Sequence, residues 1–427
     1  MGVKIYTGGA DNVPDVFRLT PGGTIEAGDI FITSIGNASV SASATLTTVA
    51  QTCLDIYAAL TADGVPAEIG EITWALDDPT TPTYVQGTGP SDGKPVYDGL
   101  AVSTTESGGG AADAQTYTKS NTTAGTGSKF WSNVDNWKDG SVPVNGDEVY
   151  LGLYGIVPQY DIDQNAVTLD ELHILAQATS GLTIGLPLNA DAGYVEYLNR
   201  YLKVSSTAVF YGEGDGNETP ITWLNTGTNA ATVQVLKSNP RGSDGIAPFQ
   251  WIGNHASNSL NDCRGALDFG MQPDDAGQAT TLTYGQNADV RVGLGVTVTT
   301  LTANAGTGVV WSTTPPVTIT VRNQAVLTLE GSGGTITTLT NEFGGRVNRR
   351  RPVTVTTYIG AGAIDHAAGD DRTGTTFTNC DLFKGAKWND PNKVVTTTNG
   401  IDLNQCGIED VTINVGKNRR LTLGTPA

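Results

Sequence analysis

"ATTLTYGQNADVRVGLGVTVTTLTANAGTGVV", Ala279 to Val310, carries one short unit twice, nineteen residues apart. A Thr-apolar-Thr triplet begins at Thr281 and again at Thr300, and each is followed by a Gly- and Asn-containing stretch. One apolar residue between two β-branched polar ones is the period-2 pattern of a strand with a single buried face. The triplet recurs at Thr318, Thr338 and Thr354, so the successive spacings are 19, 18, 20 and 16 residues. Less regular copies follow at Thr376 and in "DVTINV" around Thr412, with "ANAGTG", "EGSGG", "EFGGR" and "GAGA" as turns between units. A period near twenty with one or two short strands per unit predicts a β-solenoid, parallel β-helix-like, in which each coil buries its apolar face on the next. A β-sandwich or jelly roll is the alternative for the same region. Its strands would follow one another about every 8–12 residues, with no need for a triplet to recur in phase.

Composition agrees with a mainly β chain. Of 427 residues only 16% are charged, 38% are hydrophobic and 54 are Gly. Thr favours strands, while Gly, Asn and Asp supply turns. A phosphate-binding surface needs a basic stripe, and with a formal net charge of −19 no nucleic-acid partner is expected. The one basic cluster, Arg349-Arg350-Arg351 before Pro352, reads as a solvated loop or an inter-subunit ion pair. Cys53, Cys263, Cys380 and Cys406 have no C-x-x-C spacing, and only Cys380 and Cys406 are candidates to pair. No apolar run reaches membrane-spanning length, so membrane insertion is not expected. "MGVKIYTGGADNVPDVF" has no signal-peptide core, which leads us to expect synthesis in the cytoplasm without export.

Residues 1–107 read as a small α+β domain with a β-β-α-β core over 25–107. "GDIFITSIGNASVSASATL" contains a strand from Ile30 to Ile35, a turn at Gly36-Asn37, and a second strand. In that second strand Val40, Ala42, Ala44 and Leu46 alternate with Ser and Thr. Val49, Cys53, Ile56, Tyr57 and Leu60 then fall on one helical face, with Thr48 and Gln51 as a capping box and Asp63-Gly64 as the stop. "EITWAL" returns to a strand. Residues 108–128, rich in Gly, Ala, Ser and Thr, read as a linker. The solenoid domain is placed at 129–427.

"KFWSNVDNWKDGSVPVNGDEVYL", Lys129 to Leu151, opens that domain with two tryptophans six residues apart. A solenoid's open end exposes an apolar cross-section that needs a cover. Trp131, Asn136, Trp137, Pro143 and Asp147 are assigned to an N-terminal cap over 129–151. A sugar held between the two indoles is the competing reading.

Candidates for chemistry are few. His173, His255 and His366 have no partner at metal-ligand spacing, and no metal or other cofactor is expected. Asp215 and Glu218 in "GEGDGNE" form a weak calcium candidate without EF-hand spacing. "AIDHAAGDDRTG" gathers Asp365, His366, Asp370, Asp371 and Arg372, and paired acids can divide acid and base roles in glycoside hydrolysis. The plainer reading is an exposed turn of Asp and Gly residues between coils. Trp223, Trp251, Trp311 and Trp388 are expected to fill coil ends or corners rather than stack on sugars. "GYVEYLNRYLKV", Gly193 to Val204, reads as a short helix or an extended arm.

Two stretches carry a resemblance. Ala27 to Trp74 resembles a module of tailed-bacteriophage and prophage structural proteins, including tail-sheath-type proteins. That module runs Gly-Asp, strand, turn, alternating strand, Thr-Val helix and "ITW" strand, and here its turn is Gly36-Asn37 instead of Asn-Gly. Trp131, Asn136, Trp137, Gly140, Pro143, Asp147 and Val149 resemble a pattern that precedes β-helical repeats in autotransporter-like surface proteins. Together they imply a non-enzymatic virion structural protein: a fibre, capsid decoration or tail appendage located in the virion. The implied partners are other virion proteins, further copies of the chain as a homotrimer, and a host-surface glycan. A tailspike-like glycan hydrolase or lyase and a bacterial cell-surface adhesin are the alternatives.

Overall fold

The computed structural model describes residues 2–91, 93, 96, 99–107, 115–123, 127, 130–154, 158, 164–175, 202–214, 221–225, 227–271, 275–366, 374–404 and 406–415. The chain is mainly β, with 49% of it in strands, and residues 148 to 414 wind into a parallel β-solenoid of about ten turns.

The N-terminal module has its own core. An antiparallel sheet orders Thr73–Leu76, Val85–Thr88, Val16–Gly22 and Thr116–Thr123, and a second orders Ala38–Ser43, Ile30–Ile35 and Leu100–Thr105. The helix Val49–Leu60 lays Thr52, Cys53, Ile56 and Leu60 against them. Phe17 meets Trp74 edge-on at 5.6 Å, and Gly87 is required beside them because a Cβ there would lie 2.4 Å from the Phe17 ring. Thr48 caps the helix by accepting from the Gln51 amide at 3.3 Å. The Gln51 side chain turns to Asp55 instead of closing the box. Burial raises the Cys53 thiol to about 12, so it stays a neutral core group. Leu46, expected inside, is exposed, because the second strand ends at Ser43.

Two boundaries differ from the sequence reading. Thr116–Thr123, inside the expected linker, pairs with Val16–Gly22 as an edge strand. Its sequence TYTKSNTT offers one large apolar side chain, Tyr117, which packs on Phe31 at 5.9 Å with its hydroxyl 3.3 Å from Thr33 Oγ1. With so little apolar alternation the strand looks like a linker. At the other end, Val3–Ile5 leaves the module and pairs in parallel with Glu148–Leu151. The chain's first strand is therefore the outermost strand of the solenoid's long sheet.

Among the described residues the solenoid consists of two sheets paired in parallel throughout, of 14 and 10 strands, and from Ile221 to Thr397 the chain visits them alternately. Parallel pairing of strands from successive coils excludes the sandwich, whose neighbours run antiparallel. Leu282, Leu301, Ile319, Leu339, Tyr358 and Cys380 stack in register down the long sheet, none more than 2% exposed. Burying each Leu or Ile contributes about 1.5–3 kcal/mol. The flanking threonines of the triplets face outward.

Thr354 is not in phase with the other triplets. It pairs with Thr335, whereas Thr357 continues the column Thr281, Thr300, Thr318, Thr338. The strands Gly277–Tyr284, Val296–Ala303, Thr335–Asn341 and Thr354–Gly360 each break alternation with two successive outward residues, at 280/281, 299/300, 337/338 and 356/357. The doublet marks a bend, and Thr354 lies on the arm before it.

Turns between the sheets are built from left-handed residues: Asn287, Asn323, Gly344 and Gly385 all have positive φ. The closest approach is at Gly293, where a Cβ would sit 1.6 Å from the Gly270 carbonyl oxygen of the coil below. No side chain fits there. The solenoid interior is one continuous apolar cluster from Tyr6 to Ile401. Trp223, Trp251 and Trp388 lie inside it, while Trp311 is half-buried. All four cysteines are free thiols, so Cys380 and Cys406 do not pair; Cys380 points into the core and Cys406 toward the Leu382 carbonyl.

Candidate functional site

The residues assigned to the cap converge at the N-terminal end of the solenoid core. Trp131 and Trp137 meet edge-on at 4.8 Å, and Tyr6, brought in by the first strand, meets Trp137 at 5.3 Å. The Trp137 indole N–H donates to the Trp131 carbonyl at 2.8 Å, and the Trp131 indole to Gln164 Oε1 at 2.8 Å. Gln164 in turn donates to the Pro143 carbonyl at 3.0 Å. Both indoles are buried with their N–H groups satisfied, which leaves no face for a sugar. Asp147 accepts from the amides of Gly2 and Val144, fixing the first strand to the turn.

Asn136 is the junction. Its carbonyl accepts from the Thr7 amide at 2.7 Å and its side-chain oxygen from Ala10 at 2.9 Å. Its side-chain nitrogen donates to the carbonyls of Phe130 at 3.0 Å and Gly127 at 3.3 Å. One fully buried side chain thus holds the chain both where it leaves for the N-terminal module and where it returns. Lys4, also buried, pairs with Asp139, whose carboxyl that bond holds below its usual range.

Of the acidic candidate, Asp365 and His366 are among the described residues. Asp365 accepts from Asn389 at 3.0 Å and lies 3.6 Å from Arg346, both on neighbouring coils. His366 is buried against Phe377 and Trp388, and its Nδ1 accepts from Arg349 Nε at 3.1 Å. Burial, then the adjacent guanidinium, hold the His366 imidazole well below its usual range. It is a neutral core group. Arg349, expected in a solvated loop, is 1% exposed because its strand position faces inward; Arg350 reaches Glu330 at 3.2 Å instead. Asp370, Asp371 and Arg372 lie outside the described residues, as do Asp215 and Glu218 and most of Gly193 to Val204.

A pH dependence follows. Below about pH 6.5 the unfolded chain protonates His366 while the fold keeps it neutral. Stability therefore decreases as pH falls from that point toward the depressed folded value, by up to about 1.4 kcal/mol per pH unit. We expect the melting temperature of His366→Gln to vary less than that of the wild type between about pH 6.5 and 5. Parallel profiles would count against a neutral buried histidine.

The constellation that sequence reading missed lies on the outer face of the first coils. Period-2 alternation turns Glu148 and Tyr150 outward from EVYL, and Glu171 and His173 outward from the next strand; register sets Glu171 on Glu148 and His173 on Tyr150. The His173 ring is stacked between Tyr150 at 4.3 Å and Phe210 at 4.7 Å, and the residue is only 7% exposed. Its Nδ1 is 2.6 Å from Glu213 Oε2, and its Nε2 is 2.9 Å from Glu171 Oε2 and 3.7 Å from Glu148 Oε1. The Tyr150 hydroxyl donates to Glu148, and this bond raises its pKa to about 12. Among the described residues, Glu148, Glu171 and His173 form the one group whose ligand atoms lie close enough together, within 4.8 Å, to share a metal ion. The sequence signal was the repeat of E-x-Y at 148 and E-x-H at 171 on the outward phase, legible only once the coils are aligned.

No protein-family model matches the chain, and comparisons with curated proteins and with solved structures find no match. Among the described residues no helix is long and apolar enough to cross a membrane.

Proposed function

We propose that the chain is a non-enzymatic structural protein of a virion surface, a fibre, decoration or tail appendage of tailed-phage type. In this reading the module at 16–123 docks on the particle and the solenoid projects from it. The observation that carries the reading is the junction at Asn136, which holds both strands of the chain leading to the module against the capped end of the solenoid. A docking unit set into the base of a rod suits an appendage. The buried, neutral His366 supports the structural reading over a glycan hydrolase built on Asp365 and His366. Other virion proteins, a host-surface glycan and two further copies of the chain are the partners proposed with this function.

Mass spectrometry and immunogold imaging of purified particles test it. We expect the chain at the particle surface in fixed copy number; its absence from particles, with label on the bacterial envelope, would establish the adhesin reading instead. Light scattering at micromolar concentration should give three times the 44.4 kDa chain mass, and a monomeric mass rules out the trimer.

A further inference from the structure

His173 presents carboxylate oxygens to both of its ring nitrogens. A neutral imidazole has one N–H, so one nitrogen would direct a lone pair at a carboxylate. A cation lying between that nitrogen and the carboxylates removes the repulsion. Charge favours the cation. Glu148, Glu171 and Glu213 surround a single imidazole, and among the described residues no lysine or arginine lies within 4.0 Å of any of them. Three carboxylates converge on one imidazole in a half-buried cluster, and a divalent ion offsets their mutual repulsion directly.

We propose that Glu148, Glu171 and Nε2 of His173 form a binding site for a divalent cation of the Zn2+ class. One imidazole with two carboxylates suits zinc, whereas calcium and magnesium take oxygen ligands. The separations of 2.9 and 3.7 Å from Nε2 to the two carboxylate oxygens bracket the ~3.3 Å between ligands on a tetrahedral ion with ~2.0–2.1 Å bonds. Glu213 is the orienting partner: accepting from Nδ1–H, it fixes the tautomer that leaves Nε2 free to ligate. Tyr150 and Phe210 hold the ring plane from both sides, and the Tyr150 hydroxyl steadies Glu148. The glutamates remain open enough to admit an ion, with side-chain exposures of 28% and 44%. Three residues from two strands would share one ion, with a third strand supplying Glu213, so the site staples the first coils beside the cap.

The test is calorimetric titration of the chelator-stripped full chain with ZnCl2, with melting curves in parallel. We expect one Zn2+ bound per chain and a melting temperature that rises with zinc. Glu148→Gln and Glu171→Gln, which keep side-chain shape, should each weaken binding at least about tenfold, and Glu213→Gln by about 10–100-fold. All three should melt like the wild type in chelator. Should a variant fold poorly, 15N NMR of the wild type decides: zinc must shift Nε2 of His173. No saturable zinc binding, an unmoved His173 signal, or undiminished affinity in the Glu148→Gln, Glu171→Gln double variant overturns the site.

Discussion

Trp137→Ala will destabilise the solenoid by about 3–5 kcal/mol while the N-terminal module stays folded. The indole is 2% exposed and closes the end of the coil stack between Tyr6 and Trp131, with its N–H on the Trp131 carbonyl. Truncation removes that packing and opens the end of the apolar interior to water. In a stacked repeat each coil is supported by its neighbours, so the loss starts at the first coils and weakens the stack from that end. The module's core, from Phe17 to Tyr117, is a separate cluster and shares no buried side chain with the solenoid. Hydrogen exchange resolved by peptide is the measurement. Protection should drop in 148–175 and persist in Ile25 to Ser107. Equal loss in both, or none in the solenoid, defeats the capping role.

Trp251→Ala will cost a similar amount, about 3–5 kcal/mol, with a different signature. Trp251 is fully buried, stacked on Phe269 at 4.3 Å and 6.1 Å from Trp223 in the coil below. The packing around it is tight: a Cβ at Gly253 would lie 2.6 Å from its indole nitrogen. A cavity here cannot be refilled by collapse of an open end, as both neighbouring coils are fixed. It weakens the interface between coils on either side, and in a quasi-one-dimensional fold that uncouples them. Calorimetry should show the single solenoid transition of the wild type split in two, the lower one belonging to coils before Trp251. An unsplit transition at the wild-type temperature would show that the indole is not part of the stack's continuity.

The solenoid was legible because its later coils are the most repetitive. Where Leu282, Leu301, Ile319 and Leu339 sit between outward threonines, one period serves for strand, face and register at once. Thr354 shows the limit of counting. A triplet can fall on either arm of a bent strand, and only the paired doublet at 356/357 reveals which. The first coils hold no such triplets, and the spacing from Glu171 to its partner Ala208 is far from twenty residues, so no period could align Glu148, Glu171 and His173. The burial of Arg349 was hidden for another reason. Inward phase normally selects apolar residues, and a charged side chain on that phase reads as surface. Val3–Ile5 escaped because three residues are too few to show alternation, and its partner lies beyond the whole intervening module.

That topology has a mechanical consequence. The N-terminal module is attached to the rod by two chain crossings tied at Asn136, with Val3–Ile5 hydrogen-bonded beyond one of them. A pull on the module loads both crossings in parallel, and extraction requires shearing the outermost strand while breaking the bonds of a buried amide. A single covalent leash would let the module swivel freely. This double hitch carries torque, so a twist applied at the N-terminal module is delivered to the first coil and, through in-register strand pairing, along the length of the rod.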